Sequence, residues 1–199
     1  MASRWVCSAQ LDGGGLSSNF EIDDAIVLLL GAEVPGAASG EIKGITRLEK
    51  LIFLLERETK SKDEWLGEDA KFEPYNFGPF SQRVYQAVDL LSSAGLLNDS
   101  DSPATDDIDT WELRDNIGLE EGGDRRRDQY VTRDFKLTDL GWRYFRALEH
   151  ELPSDSLAEV AEFKRRFAFL PLRQLVRYVY LRYAEFTTKS IIRDAVLGT

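Results

Sequence analysis

One cysteine and one histidine are all that this 199-residue sequence offers of either type. Cys7 has no second thiol to meet, so no disulfide forms within the chain, which fits a reducing compartment. A four-ligand Cys/His zinc site cannot be assembled from one of each. Serine–histidine–aspartate catalysis would rest on His150 alone, in the run Ala147-Leu-Glu-His-Glu-Leu152 at an expected helix end. A cationic histidine there is ordinary complementarity to the helix dipole. Long apolar runs are missing too, and none approaches the roughly 18 residues of a membrane span. The first eighteen residues carry one arginine and no apolar stretch of the kind a secretory signal has. Residues 1–19 are expected to be a flexible arm ending in a Gly/Ser joint. Nucleotide and hydrolase motifs are absent as well: there is no P-loop, no HExxH and no GxSxG elbow. Gly13 to Gly15 follow no strand and read as linker. These gaps point away from an enzyme, a metal site, a cofactor or a membrane, and towards the cytoplasm.

What is present is a globular composition, with 43% hydrophobic and 30% charged residues. The net charge of −10 is unevenly spread. Residues 1–20 balance, residues 21–124 carry about −15, and residues 125–199 carry about +5 by counting side chains. Overall acidity argues against indiscriminate binding to phosphate backbones. The basic C-terminal part leaves a local nucleic-acid or acidic-partner surface open.

Phe20 to Ala32 places Ile22, Ala25, Ile26, Leu29 and Leu30 on one helical stripe. Gly, Pro and Ser in residues 31–41 stop it. Thr46, with Glu49 three positions on, predicts a capping box for a second helix bearing Leu48, Leu51, Ile52 and Leu55. Gly78-Pro79 predicts a third helix, because proline at the first helical position forfeits no hydrogen bond. Phe80, Val84, Ala87, Val88 and Leu91 share its inner face, and Gly95 is expected as its left-handed cap. Phe72, Tyr75 and Phe77, just before it, read as core packing rather than as a ligand pocket.

Residues 98–124 hold ten acids against Arg114 alone, too polar to be core and read as an acidic insertion, with a short strand at Trp111 and Leu113. Gln129 to Leu137 alternates as a strand, and Thr138 is expected to cap the helix that follows. Ser156 with Glu159 predicts a further capping box. Pro171 opens a helix with Leu172, Leu175, Val176, Val179 and Tyr183, and a last helix is expected from Thr188 to Leu197. The expected fold is mainly α with a small β-hairpin wing. Its order resembles a winged helix-turn-helix core over residues 20–150, with a C-terminal helical extension over 151–199 packed on it.

Three segments carry a further resemblance. They are Arg47-Leu-Glu-Lys-Leu-Ile-Phe-Leu-Leu55, the Phe-Gly-Pro-Phe-Ser core of residues 72–81, and Phe135-Lys-Leu-Thr-Asp-Leu-Gly141. Over about residues 45–150 the chain resembles the YwgA-like proteins and the related Panacea (SocA-type) antitoxin domain. Residues 171–193 also resemble the YwgA-like tail. The aspartate-rich stretch 98–124 is not part of that pattern. The resemblance implies a small helical, winged-helix-like fold without catalysis, in a toxin–antitoxin or phage-defence setting, and it carries over no active-site residues.

Two functions follow. As a DNA-binding regulator, the helix from Pro79 to Ala94 would present Ser81, Gln82, Arg83 and Gln86, types suited to phosphate, adenine and guanine. The wing would present Arg125, Arg126 and Arg127 to the minor groove, unless they only balance the acids before them. As a protein-binding adaptor or antitoxin, the acidic half would steer a basic partner. Asp106, Asp107 and Asp109 lie in that tract. They lack the glycine and final glutamate of an EF-hand, and the tract also reads as a solvated insertion. Arg173, Arg177 and Arg182 mark a second candidate partner surface. Acidity favours the protein partner, and a homodimer through a terminal helix stays open.

Overall fold

A computed structural model describes residues 20–37, 39–103 and 131–198. The chain is mainly helical with small antiparallel sheets. At its centre lies helix α1, Ile22–Gly31. Its N-terminus is closed by a reciprocal box, in which the Glu21 N–H donates to the Asp24 carboxylate at 2.9 Å. The expected one-sided stripe is an underestimate: every residue from Ala25 to Ala32 is withdrawn from water. A helix apolar on all sides is a core element, because each face then needs a partner.

Strand β1, Glu41–Lys43, leads into α2, Ile45–Glu58. Thr46 does not cap α2. Gly44 is the N-cap, and its N–H donates to Asp134 Oδ1 at 3.2 Å across the sheet. Glu49, released from the expected box, turns inward. After the short α3, Ser61–Glu64, strands β2, Glu73–Tyr75, and β3, Gly78–Phe80, form a hairpin. Pro79 is therefore paired in a strand rather than first in a helix. Helix α4, Gln82–Ser93, starts behind it with Ser81 as N-cap, accepting the Val84 N–H at 3.3 Å. Gly95 does adopt the left-handed turn after it, at φ 72°.

Strands β4, Leu97–Pro103, and β5, Val131–Leu137, complete a sheet of order β1-β5-β4, antiparallel throughout. The start of the expected acidic insertion is thus ladder rather than loop. Asp99 sits opposite Phe135 in it. The expected strand at Trp111 and Leu113, and the tip between β4 and β5, lie outside the described residues. Thr138 caps α5, Asp139–Glu151, as expected, accepting the Gly141 N–H at 3.0 Å.

The rest is helical: α6, Ser156–Phe167, α7, Leu172–Arg182, a 3-10 turn at Ala184–Thr187, and α8, Arg193–Leu197. Pro171 is the N-cap of α7, while the last helix is shorter than its sequence pattern suggested. Ser156 and Glu159 form no capping box. The Ser156 hydroxyl donates to Glu64 at 3.3 Å and Glu159 accepts the Lys60 N–H, so both tie α6 to α3. Phe163, Phe167, Leu175 and Val179 join one apolar core with α1 and α2.

Two buried cations fasten the helix ends. Lys164 Nζ donates to the Leu30 and Ala32 carbonyls at 2.7 and 2.8 Å, at the C-terminus of α1. Arg47 donates to the Ala168 and Leu170 carbonyls just past α6. Carbonyls at a helix end have no partner within the helix and carry its negative dipole end, so a cation satisfies both needs.

Candidate functional site

The hairpin and α4 have a hydrogen-bonded inner side and an exposed outer side. On the inner side Lys50, with no exposed surface, donates to Glu49 Oε2 at 2.9 Å and to the Pro79 carbonyl at 2.7 Å. The other Glu49 oxygen accepts the Ser81 N–H at 2.9 Å. The Ser81 hydroxyl donates to the Ala70 carbonyl, and the Ala70 N–H donates to Glu56 at 2.9 Å. Burial pushes the Glu56 carboxyl up, against the pull of that N–H and of Lys62. Three residues of α2 thus hold both ends of the segment from Ala70 to Ser81. Gly78 completes the corner with φ at 90°, and a Cβ there would come 2.7 Å from the Tyr180 ring. The Gly-Pro pair is a structural corner, and its proline ring is buried.

Ser81 is consequently no phosphate contact: it is fully buried and its hydroxyl is spent on the corner. Gln82 and Gln86 are exposed, as a recognition surface requires. Arg83 is half-buried, and its guanidinium donates to Glu68 at 2.7 Å and to the Asp69 carbonyl at 3.0 Å. Arg133 on β5 lies between Asp99, at 2.6 Å, and Asp89 of α4, at 2.7 Å. Its hydrogen bonds to Asp99, with help from Asp89, push the guanidinium above its already high ordinary value. Arg83 and Arg133 are therefore each matched to carboxylates of the chain itself.

Beside the glutamines runs a row of rings. Tyr75 packs on Phe80 at 5.0 Å between centroids, and Phe80 on Tyr85 at 5.4 Å. Tyr75 is 51% exposed, while Phe80 and Tyr85 are half-buried. Leu90, on the same helix, is 59% exposed. The Ile191 N–H donates to the Asn76 carbonyl at the hairpin turn, which brings the exposed Ile191 side chain to the edge of this face. For Leu90 one signal existed: in the pair Leu90-Leu91 of an amphipathic helix only one can point inward. The ring row reads otherwise in the sequence: Tyr75 is expected in the core, and the hairpin pairing instead leaves it 51% exposed.

Two of the C-terminal arginines, both exposed, also bond within the chain. Arg173 donates to the Ala195 carbonyl, and Arg177 to those of Val196 and Leu197, so they clamp the end of α8. Arg182 points elsewhere, 3.6 Å from Glu58 and well exposed. Glu58 also accepts the hydroxyls of Tyr178 and Tyr183, and burial and that carboxylate push Tyr183 up to about 12. Arg125, Arg126, Arg127, Asp106, Asp107 and Asp109 lie outside the described residues.

Among the described residues no cluster of His, Cys, Asp and Glu is placed to hold a metal, and no helix is long and apolar enough to cross a membrane. Neither a scan against protein-family models nor a search of curated proteins finds a match for this chain.

Proposed function

We propose that the chain is a non-catalytic regulatory or adaptor protein of the cytoplasm, built on a winged-helix arrangement, and that the outer face of α4 with the β2–β3 hairpin takes a protein partner. The order α1-β1-α2-α4-β4-β5, with a β1-β5-β4 sheet, supports the winged-helix reading. In that reading α4 is the second helix of the helix-turn-helix and the connection between β4 and β5 is the wing. The observation that carries the choice of partner is electrostatic. Arg83 and Arg133, two cations beside the α4 face, are paired with Glu68, Asp89 and Asp99, while Tyr75 and Leu90 stand exposed there. A duplex needs free cations to displace its counterions. Aromatic and aliphatic side chains on a rigid support are instead what buried protein contacts use. The resemblance to YwgA-like and Panacea proteins supplies the setting, a toxin–antitoxin or phage-defence pair.

Exposed Gln82 and Gln86 favour the rival reading, a DNA-binding regulator, since glutamine pairs with adenine. The two readings part on a random-sequence duplex titrated by fluorescence anisotropy at low salt, beside co-expression with each neighbouring-gene product. The protein-partner reading expects no duplex binding, and a complex that forms with the wild type but not with a Tyr75→Ser, Leu90→Ser variant. Salt-sensitive duplex binding lost on replacing Arg125 to Arg127 establishes the rival. A complex indifferent to the Tyr75 and Leu90 changes removes this face from the proposal.

A further inference from the structure

A concave site lies between α5, α6 and the turn after α1. Its volume is about 500 Å³, within the range of small-molecule sites. Trp142 and Phe145 of α5 meet Leu157 and Ala161 of α6 there, and Glu33, Arg146 and Glu149 supply charge at the mouth. The aromatic pair is firmly seated. Phe145 lies against the backbone of Gly31, where a Cβ would overlap the ring. Trp142 lies against Gly40, where a Cβ would come 2.6 Å from Cζ2. The two rings meet edge to face at 5.6 Å. Any larger residue at either glycine would displace a ring, so the shape of the floor is set by the fold rather than by loose side chains.

The charges at the mouth are unspent. Among the described residues, Glu33, Arg146 and Glu149 make no ion pair or side-chain hydrogen bond. Arg146 and Glu149 are three residues apart on one helix, so they share a face, and Glu33 comes from the turn across the cleft. An apolar floor with cation and carboxylates at its mouth calls for a ligand with an apolar body and both charged groups on one carbon.

We propose that this cleft binds a free α-amino acid with an apolar side chain, aromatic or branched. Its carboxylate takes the fork of Arg146, the geometry in which a guanidinium gives two parallel hydrogen bonds. Its ammonium, with three donors, takes Glu149 and Glu33. Its side chain lies on Trp142 and against Leu157 and Ala161. A peptide does not satisfy the same site, because its two charges sit at opposite ends of the chain. Binding would join α5, α6 and the turn after α1 through one small molecule.

Calorimetric titration of the full chain with L-phenylalanine, L-tryptophan and L-leucine, each to about 10 mM, tests this. The expected result is saturable binding of at least one. That binding should weaken by about tenfold or more with Arg146→Gln or Glu149→Gln, each removing a charge-assisted hydrogen bond. The amide and N-acetyl derivatives of the bound amino acid should weaken to a similar degree. Both substituted positions are exposed, and a circular dichroism melt matching the wild type confirms that the fold is kept. No heat from any of the three amino acids overturns the proposal. Equal binding of the amide overturns it as well, since the carboxylate would then have no role.

Discussion

Lys50 and Lys164 are equally withdrawn from water, at 0% and 1% exposure, yet the two regions neutralise them differently. At the corner of β3 and α4, Lys50 faces the full charge of Glu49 and one carbonyl. At the end of α1, Lys164 has carbonyls and no carboxylate. Partial charges repay less of the desolvation cost than a whole one, so burial pulls the Lys164 ammonium down to about 8. The corner is a charge pair that must be kept whole; the α1 end is a cation that can give up its proton in place.

The largest effect should come from splitting the pair. Lys50→Met leaves Glu49 buried and unpaired, and should cost about 3–5 kcal/mol in chemical denaturation. Adding Glu49→Leu should recover part of that loss, because no isolated charge then remains. If the double variant is the weaker by the sum of the parts, the pair is not a coupled unit. Next, Gly78→Ala strains the same corner through its positive φ and its approach to Tyr180, and should cost about 1–3 kcal/mol. Lys164→Met should cost less than Lys50→Met, about 1–2 kcal/mol, since only helix-end carbonyls lose their donor.

A pH series sharpens the contrast further. Because the Lys164 value is lowered on folding, the unfolded chain binds more protons between pH 8 and 10.5, and stability at this site should rise with pH there. The slope is at most about 1.4 kcal/mol per pH unit, and it should be missing from Lys164→Met, so that the difference between wild type and variant isolates it. Tyr183 acts in the opposite sense. Its raised value stabilises the fold below pH 10, and that contribution is lost as pH climbs towards 12. The smallest effect on stability is expected at the α4 face, where Tyr75→Ser should change it by no more than about 0.5 kcal/mol. A large loss there would make the exposed ring row part of the core.

The elements that were legible in advance are those whose signals are local. Thr138 and Gly95 behave as read, because a cap is settled within one turn of chain. The Gly-Pro signal was local too, but it is ambiguous: the same dipeptide suits a helix start and a hairpin. Pairing with Glu73 to Tyr75 decided for the hairpin. Thr46 and the Ser156–Glu159 pair matched a capping pattern and were overruled by partners far along the chain. At the candidate site, exposed Gln82 and Gln86 follow from helical period alone. Ser81 carried suitable chemistry for contact, yet folding buried it and spent it on hydrogen bonds within the chain, while exposed Arg173 and Arg177 gained carbonyl partners that the sequence did not announce.

Residue order alone therefore determined the main helices, the acidic and basic halves, and the absence of thiol and imidazole clusters, since these depend on period and count. Only the tertiary structure decided which charged side chains go inside. Lys50 reaches a carbonyl 29 positions away and Lys164 one 134 positions away. A buried cation is tolerable only where such partners converge, and a linear pattern does not record that convergence.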